Sequence, residues 1–217
     1  MSEAMRKSLL SSTWRVRRKI GDLVRDCRGV AAVEFAMIVP IMLVLFFGTV
    51  ELSSAIAIKR KLALVAHAAS DLTSQSLDSV KNTDMQNAFA SSGAIMLPYS
   101  LTPLSATVSE IFIDKNKIAK IQWSQSATVA MVSGSPQAAL MASPHKPNDT
   151  ATVPEGLLIP NTWLIWSEVS YTYTPTVGYV LKTGLPMDDE AYTRPRHSTC
   201  VDYPQLTGSS NSCTPVS

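Results

Sequence analysis

The pattern of hydrophobic and polar positions divides the chain into a long apolar helix and a later region of alternating strands. Between Glu34 and Glu51 lie sixteen uncharged residues, ten of which are Phe, Ile, Leu or Val. As a helix this run is about 24 Å long, shorter than a hydrocarbon core of about 30 Å. A spanning helix must therefore bring at least one glutamate to the membrane edge or into the membrane, where a charge is costly. The pattern predicts a transmembrane helix over residues 30–58.

Helical spacing continues beyond the membrane segment. The basic run Lys59 to Lys61 is followed by apolar residues three or four positions apart, beginning with Leu62 and Val65. This spacing predicts amphipathic stem helices over residues 59–92. Asn82 offers a cap for the last of them, a short helix from Met85 to Ala90.

The remaining residues, 93–217, show the period-2 alternation of β-strands. The clearest strand runs from Trp163 to Thr174, where Val169, Tyr171 and Tyr173 alternate with polar residues. The same reasoning predicts four other strands: Thr107 to Asp114, Ile118 to Trp123, Val177 to Leu181 and Glu190 to Arg194. Residues 133–156 are rich in Ser and Pro and are predicted to form a long loop. Helices followed by an antiparallel sheet indicate the α+β class.

The net charge of +2 hides an asymmetry between the N-terminus and the rest of the chain. Residues 1–29 contain eight Lys or Arg and three acids, a balance of +5, which leaves −3 for residues 30–217. A basic flank before an apolar helix indicates a cytoplasmic N-terminus. The mildly acidic remainder lacks the positive surface that nucleic-acid binding requires. We therefore predict no nucleic-acid partner.

Three cysteines are unevenly placed. Cys27 precedes the apolar run, whereas Cys200 and Cys213 lie near the C-terminus. If the C-terminal part is exported, these two can close a small loop in an oxidising compartment. Their spacing alone leaves the disulfide open.

Catalytic and metal-binding patterns are not recognisable. His67, His145 and His197 are separated from each other and from the cysteines, without zinc-ligand spacing. The acidic run from Asp188 to Glu190 is most simply read as a solvated turn. The sequence contains no phosphate-binding loop, dinucleotide motif or nucleophile elbow. We predict no enzymatic activity, no cofactor and no metal site.

The segment around the start of the apolar helix resembles a known family. Arg28-Gly29 is followed by Val-Ala-Ala-Val-Glu-Phe-Ala, then Pro40, Gly48 and Glu51. This order is similar to the TadE/TadG pseudopilins, accessory proteins of the Flp tight-adherence pilus and relatives of type IV pilins. Looser likenesses to TadE-like C-terminal domains occur at residues 169–178 and 192–196. The Asp-x-Ser-x-Ser metal motif of the larger TadG type is missing, so the shorter TadE-like type fits better.

The resemblance implies a function and a location. A prepilin peptidase is expected to cut between Gly29 and Val30, removing the leader 1–29. The chain would then be a minor pseudopilin needed to assemble a tight-adherence pilus, without enzymatic activity and with a pilin-like lollipop shape. Its expected partners are the inner membrane, the peptidase, the major pilin and other pseudopilins, in a hetero-oligomer. It would cross the inner membrane once with its C-terminal domain in the periplasm, in or at the tip of a pilus.

Two residues of the helix carry physical hypotheses of their own. Cleavage after Gly29 creates a positive α-amino group, with which Glu34 of a neighbouring helix can pair inside the membrane. The alternative for Glu34 is an unpaired side chain that reaches the membrane edge. Pro40 removes a backbone hydrogen bond and favours a helix kink.

A competing hypothesis keeps the leader in place. The chain would then be an uncleaved inner-membrane protein that crosses the membrane once and uses its periplasmic domain to bind a ligand or partner. The mature N-terminus separates the two hypotheses.

Overall fold

A computed structural model describes residues 28–175, 184–208 and 213–215. The chain separates into two compact units, with the boundary between Val50 and Glu51. Most of the predicted leader and the predicted strand from Val177 to Leu181 lie outside the described residues.

The first element is one uninterrupted helix. Helix α1 (Arg28–Ser74) has 47 residues, which at 1.5 Å per residue is about 70 Å of helix. It contains Pro40. The sequence predicts a membrane-spanning helix that continues into a stem helix, and the continuous backbone confirms this. Helix α2 (Asn82–Gly93) follows after a short connection. At its start, the Lys81 backbone N–H donates to Asp84 Oδ2 at 3.0 Å, which satisfies a donor at the helix end.

A five-stranded antiparallel sheet forms the rest of the second unit, in the order β3-β2-β1-β4-β5. The strands are β1 (Leu104–Ile113), β2 (Ala119–Val132), β3 (Ser135–Met141), β4 (Thr162–Tyr173) and β5 (Leu185–Thr193). A short helix α3 (Pro204–Thr207) lies near the C-terminus. The predicted α+β class, with a long apolar helix before an antiparallel sheet, is confirmed.

The predicted turn and strand alternation agree with the structure. Asp114 Oδ1 accepts hydrogen bonds from the backbone N–H groups of Asn116 and Ile118, closing the turn between β1 and β2. Side chains at 169, 171 and 173 in β4 are buried, while those at 168, 170 and 172 are more exposed. The period-2 pattern therefore assigned the faces of β4 correctly.

The predicted loop over 133–156 is wrong in its first part. Residues Ser135–Met141 form β3, which pairs with the second half of β2. This strand is short, lies at the sheet edge and carries a proline next to its first residue, a position that tolerates proline. Its small residues favour a strand only weakly, so the sequence pattern did not predict one. The hydrogen bonds with β2 stabilise the strand.

The two faces of the sheet are covered differently. One face packs against α1 and α2 through a core that includes Leu62, Val65, Phe89, Val108 and Trp123. Gly93 permits this packing, because a Cβ there would lie 2.9 Å from Val129 Cγ1. A smaller cluster on Ile111, Ile121 and Leu164 includes Ala151 and Val153 from the connection between β3 and β4.

The two edges of the sheet also differ. Edge strand β5 contains Pro186 and the acidic run Asp188 to Glu190. On that edge Lys59 Nζ forms an ion pair with Asp189 at 2.9 Å and donates to the Asp188 carbonyl oxygen. Edge strand β3 has no charged residue.

Candidate functional site

The N-terminal part of α1 is apolar on all sides. Its large hydrophobic side chains from Val30 to Val50, except the partly exposed Val39, are between 38% and 68% exposed. A helix that is hydrophobic all round belongs in a core or a membrane, and here no other described element covers it. Of the described helices, only α1 is long and apolar enough to cross a membrane.

The covered part of the helix begins at Glu51. This side chain is 7% exposed and belongs to the second unit. Its charge acts on Tyr173 of β4: burial raises the Tyr173 pKa, and the charge of Glu51 raises it further. Ser54, one turn along the helix, hydrogen-bonds the same tyrosine. Glu51 therefore lies in the folded unit, beyond the exposed part of the helix.

The exposed stretch from Val30 to Val50 has the length of a membrane span. Its 21 residues correspond to about 31 Å of helix, close to a hydrocarbon core of about 30 Å. Of the two glutamates that bracket the uncharged run, Glu51 lies beyond this stretch and Glu34 lies inside it. Glu34 has no hydrogen bond or ion pair with any other described residue. The pairing of Glu34 with a neighbouring amino terminus therefore stays a prediction.

Gly29 and Gly48 are in open surroundings. A Cβ built at either position would meet no atom within 4 Å. The fold of this chain therefore does not require glycine at these places, and a larger side chain would leave the described contacts intact. Pro40 lies inside the continuous helix, and the predicted kink stays a prediction.

The helix that carries these residues matches a known family. Residues 29–71, about a fifth of the chain, match the family model described as TadE-like protein. The helix of this chain is TadE-like. This match confirms the resemblance over the helix. Neither the curated proteins nor the solved structures that were compared gave a match.

The boundaries of the match are informative. It begins at Gly29 and ends at Asp71, three residues before α1 ends. The TadE-like segment therefore includes both the exposed stretch from Val30 to Val50 and most of the part of the helix that packs against the sheet. The sheet lies outside the match.

Away from the TadE-like segment, the second face of the sheet contains a polar cleft of about 350 Å³. Hydroxyl and carboxylate groups line it, among them Thr107, Ser126, Glu168, Ser170, Asp188 and Glu190. Glu168 is bound to His145, with Oε2 2.6 Å from Nε2. Burial raises the pKa of Glu168, and the hydrogen bond and charge of His145 oppose this shift. Among the described residues no group of three or more His, Cys, Asp or Glu is arranged to hold a metal ion.

Cys200 and Cys213 are joined by a disulfide, with Cα atoms 5.6 Å apart. Next to it the structure shows a cluster that sequence reasoning missed: Glu110 on β1 and Trp123 on β2 both hydrogen-bond Val201. The available signal was the position of Glu110 between Val108 and Phe112, since period-2 alternation places these three side chains on one face.

Proposed function

We propose that this chain is a minor pseudopilin of the TadE-like type, cut after Gly29 by a prepilin peptidase and needed to assemble a tight-adherence pilus. The protein acts by binding and catalyses no reaction. Its apolar helix lies in the inner membrane with the N-terminus in the cytoplasm, and the folded unit lies in the periplasm. Its partners are the peptidase, the major pilin and other pseudopilins.

The exposed stretch of α1 from Val30 to Val50, with Glu34 inside it, is the observation that carries this proposal. A carboxylate in hydrocarbon is costly when unpaired and less costly when paired. Cleavage after Gly29 places a positive α-amino group on Val30 of each copy or relative. A Glu34 carboxylate and a neighbouring amino terminus then neutralise each other and set the register of adjacent helices. A side chain at Gly29 would meet no atom within 4 Å, so the described fold does not require glycine there. This supports a peptidase as the reason for the glycine.

The mature N-terminus tests the processing step. The full chain is produced with and without a prepilin peptidase, and its intact mass is measured. We expect a 188-residue product beginning at Val30 only when the peptidase is present (217 minus 29 residues). Gly29→Val should block this product, whereas Gly48→Val, at the other open glycine, should not. A chain that still begins at Met1 in the presence of the peptidase contradicts the proposal.

Glu34→Gln tests the charge pairing. We expect normal processing but at least a tenfold loss of co-purification with a tagged major pilin from membranes, because an amide cannot neutralise the amino terminus. Met37→Leu, at another exposed position of the same helix, is the matched control and should bind normally. Unchanged recovery of Glu34→Gln would mean that Glu34 is an unpaired side chain at the membrane edge.

The second candidate function is an uncleaved membrane-anchored protein whose folded unit binds a partner or ligand. The polar cleft on the second face of the sheet is the observation that favours it. This candidate expects Gly29→Val to leave function intact and Thr107→Arg, which fills the cleft, to abolish it. The pseudopilin proposal expects the opposite result for Gly29→Val.

A further inference from the structure

A four-residue segment near the C-terminus is buried although it belongs to no strand of the sheet. Cys200, Val201, Asp202 and Tyr203 are each at most 6% exposed. We call these four residues the latch segment. Its interior position requires partners for every backbone polar group, because a buried unpaired group is costly.

One side of the latch segment is bound to the connection between α1 and α2. The Asp202 N–H donates to the Asp78 carbonyl oxygen at 3.0 Å, and the Val80 N–H donates to the Asp202 carbonyl oxygen at 2.9 Å. These two bonds form an isolated parallel bridge. They hold the latch segment beside the helices but leave Val201 without a backbone partner on the sheet side.

Side chains of the sheet form hydrogen bonds with the Val201 backbone instead. Its N–H donates to Glu110 Oε1 at 2.6 Å, and its carbonyl oxygen accepts from the Trp123 indole N–H at 2.6 Å. Tyr203 packs edge-on against Trp123, with ring centroids 5.3 Å apart, and its hydroxyl donates to Asn82 Oδ1 at 2.6 Å. Glu110 and Trp123 are themselves fully buried under the segment.

The carboxyl of Glu110 is the titratable group of this arrangement. Burial raises its pKa from the ordinary 4.5 to about 8; hydrogen bonds from Val201 and Trp123 oppose the rise, and the charge of Asp202 adds to it. Asp202 belongs to the latch segment. The neighbouring strands present Trp123 and Ile165 beside Glu110, and neither carries a charge. At neutral pH the closed arrangement therefore holds a proton on this carboxyl.

We propose that residues 200–203 form a latch that is closed over the protonated Glu110 carboxyl and opens when this carboxyl ionises. The closed segment keeps water from Glu110, and a buried carboxylate gains hydration only if the segment leaves. Opening releases one proton to solvent and exposes Val201, Tyr203 and the indole of Trp123. The proposal concerns the folded unit alone and does not depend on cleavage after Gly29.

Linkage fixes the sign of the pH dependence. The pKa of Glu110 is about 8 in the closed form and near 4.5 when the group is hydrated. The closed form binds the proton more tightly, so its stability is fully present below about pH 4.5 and falls as pH rises through 8. Between these limits the population of the open form grows about tenfold per pH unit, and above them it is constant.

Cys200 can report opening because it is buried in the segment. In the full chain in detergent, Cys27→Ser and Cys213→Ser leave Cys200 as the single thiol. Its reaction with dithiodipyridine is measured from pH 5.5 to 8.5, relative to the same protein unfolded in denaturant at each pH. We expect this ratio to rise about tenfold per pH unit up to about pH 8. With Glu110→Gln added, whose amide oxygen still accepts from Val201 but cannot ionise, we expect a flat ratio.

A thiol outside the latch separates local opening from global unfolding. Ala127→Cys, buried in the middle of β2, is the control in a chain whose three native cysteines are replaced by serine. Global unfolding also hydrates Glu110, so the Ala127→Cys ratio should rise with the same slope but stay far below that of Cys200 at every pH. This comparison holds even if Glu110→Gln does not fold. Equal ratios at both positions, a pH-independent ratio at Cys200, or the same rise in a folded Glu110→Gln variant would each overturn the latch. Glu168→Gln, at a glutamate outside the latch, should leave the rise unchanged.

Discussion

The two halves of helix α1 differ both in apolar content, 17 of 21 residues from Val30 to Val50 against 13 of 24 from Glu51 to Ser74, and in their surroundings. From Val30 to Val50 the large apolar side chains point in every direction and all but Val39 are exposed. From Glu51 to Ser74 one face that includes Ile58, Leu62 and Val65 is buried, whereas four large apolar side chains on the open side stay exposed: Leu52, Ile56, Leu64 and Leu72. The second half carries Lys59, Arg60 and other polar groups on its open face. The difference shows that a helix with polar residues on one side packs its other side against the folded unit, whereas a helix that is apolar on all sides is left uncovered by it.

The largest expected effect comes from matched leucines in the two halves. Leu62 is fully buried, and Leu62→Ala should lower the free energy of unfolding of the folded unit by about 2–5 kcal/mol through lost burial and a cavity. Leu43, 48% exposed, is the control, and Leu43→Ala should change it by less than about 0.5 kcal/mol. Urea unfolding in detergent, followed by tryptophan fluorescence, measures both. Equal effects would show that the first half is also part of the folded core.

The second-largest expected effect comes from removal of the disulfide between Cys200 and Cys213, which constrains the C-terminal segment of the folded unit. Cys213→Ser should lower the free energy of unfolding by about 3 kcal/mol, because the disulfide closes a loop of about 14 residues. The reduced wild type should unfold at the same urea concentration as the variant. If reduction leaves the unfolding midpoint of the wild type unchanged, the bond either does not form in the protein or contributes nothing to its stability.

The smallest expected effect concerns the polar face of the covered half. Arg196 forms an ion pair with Asp71, and both side chains are partly exposed, at 56% and 34%. Asp71→Asn should therefore cost at most about 1 kcal/mol, and high salt should reduce the difference. The Arg196 backbone N–H also donates to the Ser74 carbonyl oxygen at 3.0 Å, a contact that the substitution leaves in place. A loss of several kcal/mol would show that this polar face contributes to the folded state as much as the apolar face does.

The sequence predicted the elements whose pattern is local and strong. Sixteen uncharged residues, the turn at Asp114 and the alternation from Val169 to Tyr173 each define an element without reference to the rest of the chain. Strand β3 was missed, because Ser135–Met141 becomes a strand only through pairing with β2. The continuation of the apolar helix into the stem helix was predicted, because helical spacing persists on both sides of Glu51, but the residue at which the folded unit begins to cover the helix depends on contacts distant in sequence.

Candidate site residues divide in the same way. Gly29, Glu34 and Pro40 lie within one helical segment, so a short motif was sufficient to single them out. Glu110 and Val201 are 91 positions apart, and their hydrogen bond exists only because the chain returns across the sheet. Spacing along the sequence contains no information about such a contact. A glutamate between two apolar strand residues shows only that a buried partner is required.

The uncharged edge strand β3 has a consequence for the behaviour of the protein at high concentration. Its outward N–H and C=O groups form a template on which another strand can add, and no charge or inward lysine discourages this. The β5 edge is protected by its acidic run and by Lys59. With the apolar part of α1 held in detergent or a membrane, aggregation of the folded unit is therefore expected to start at β3. Ala139→Lys, at an exposed position of this strand, is the substitution that should improve solubility while leaving the core unchanged.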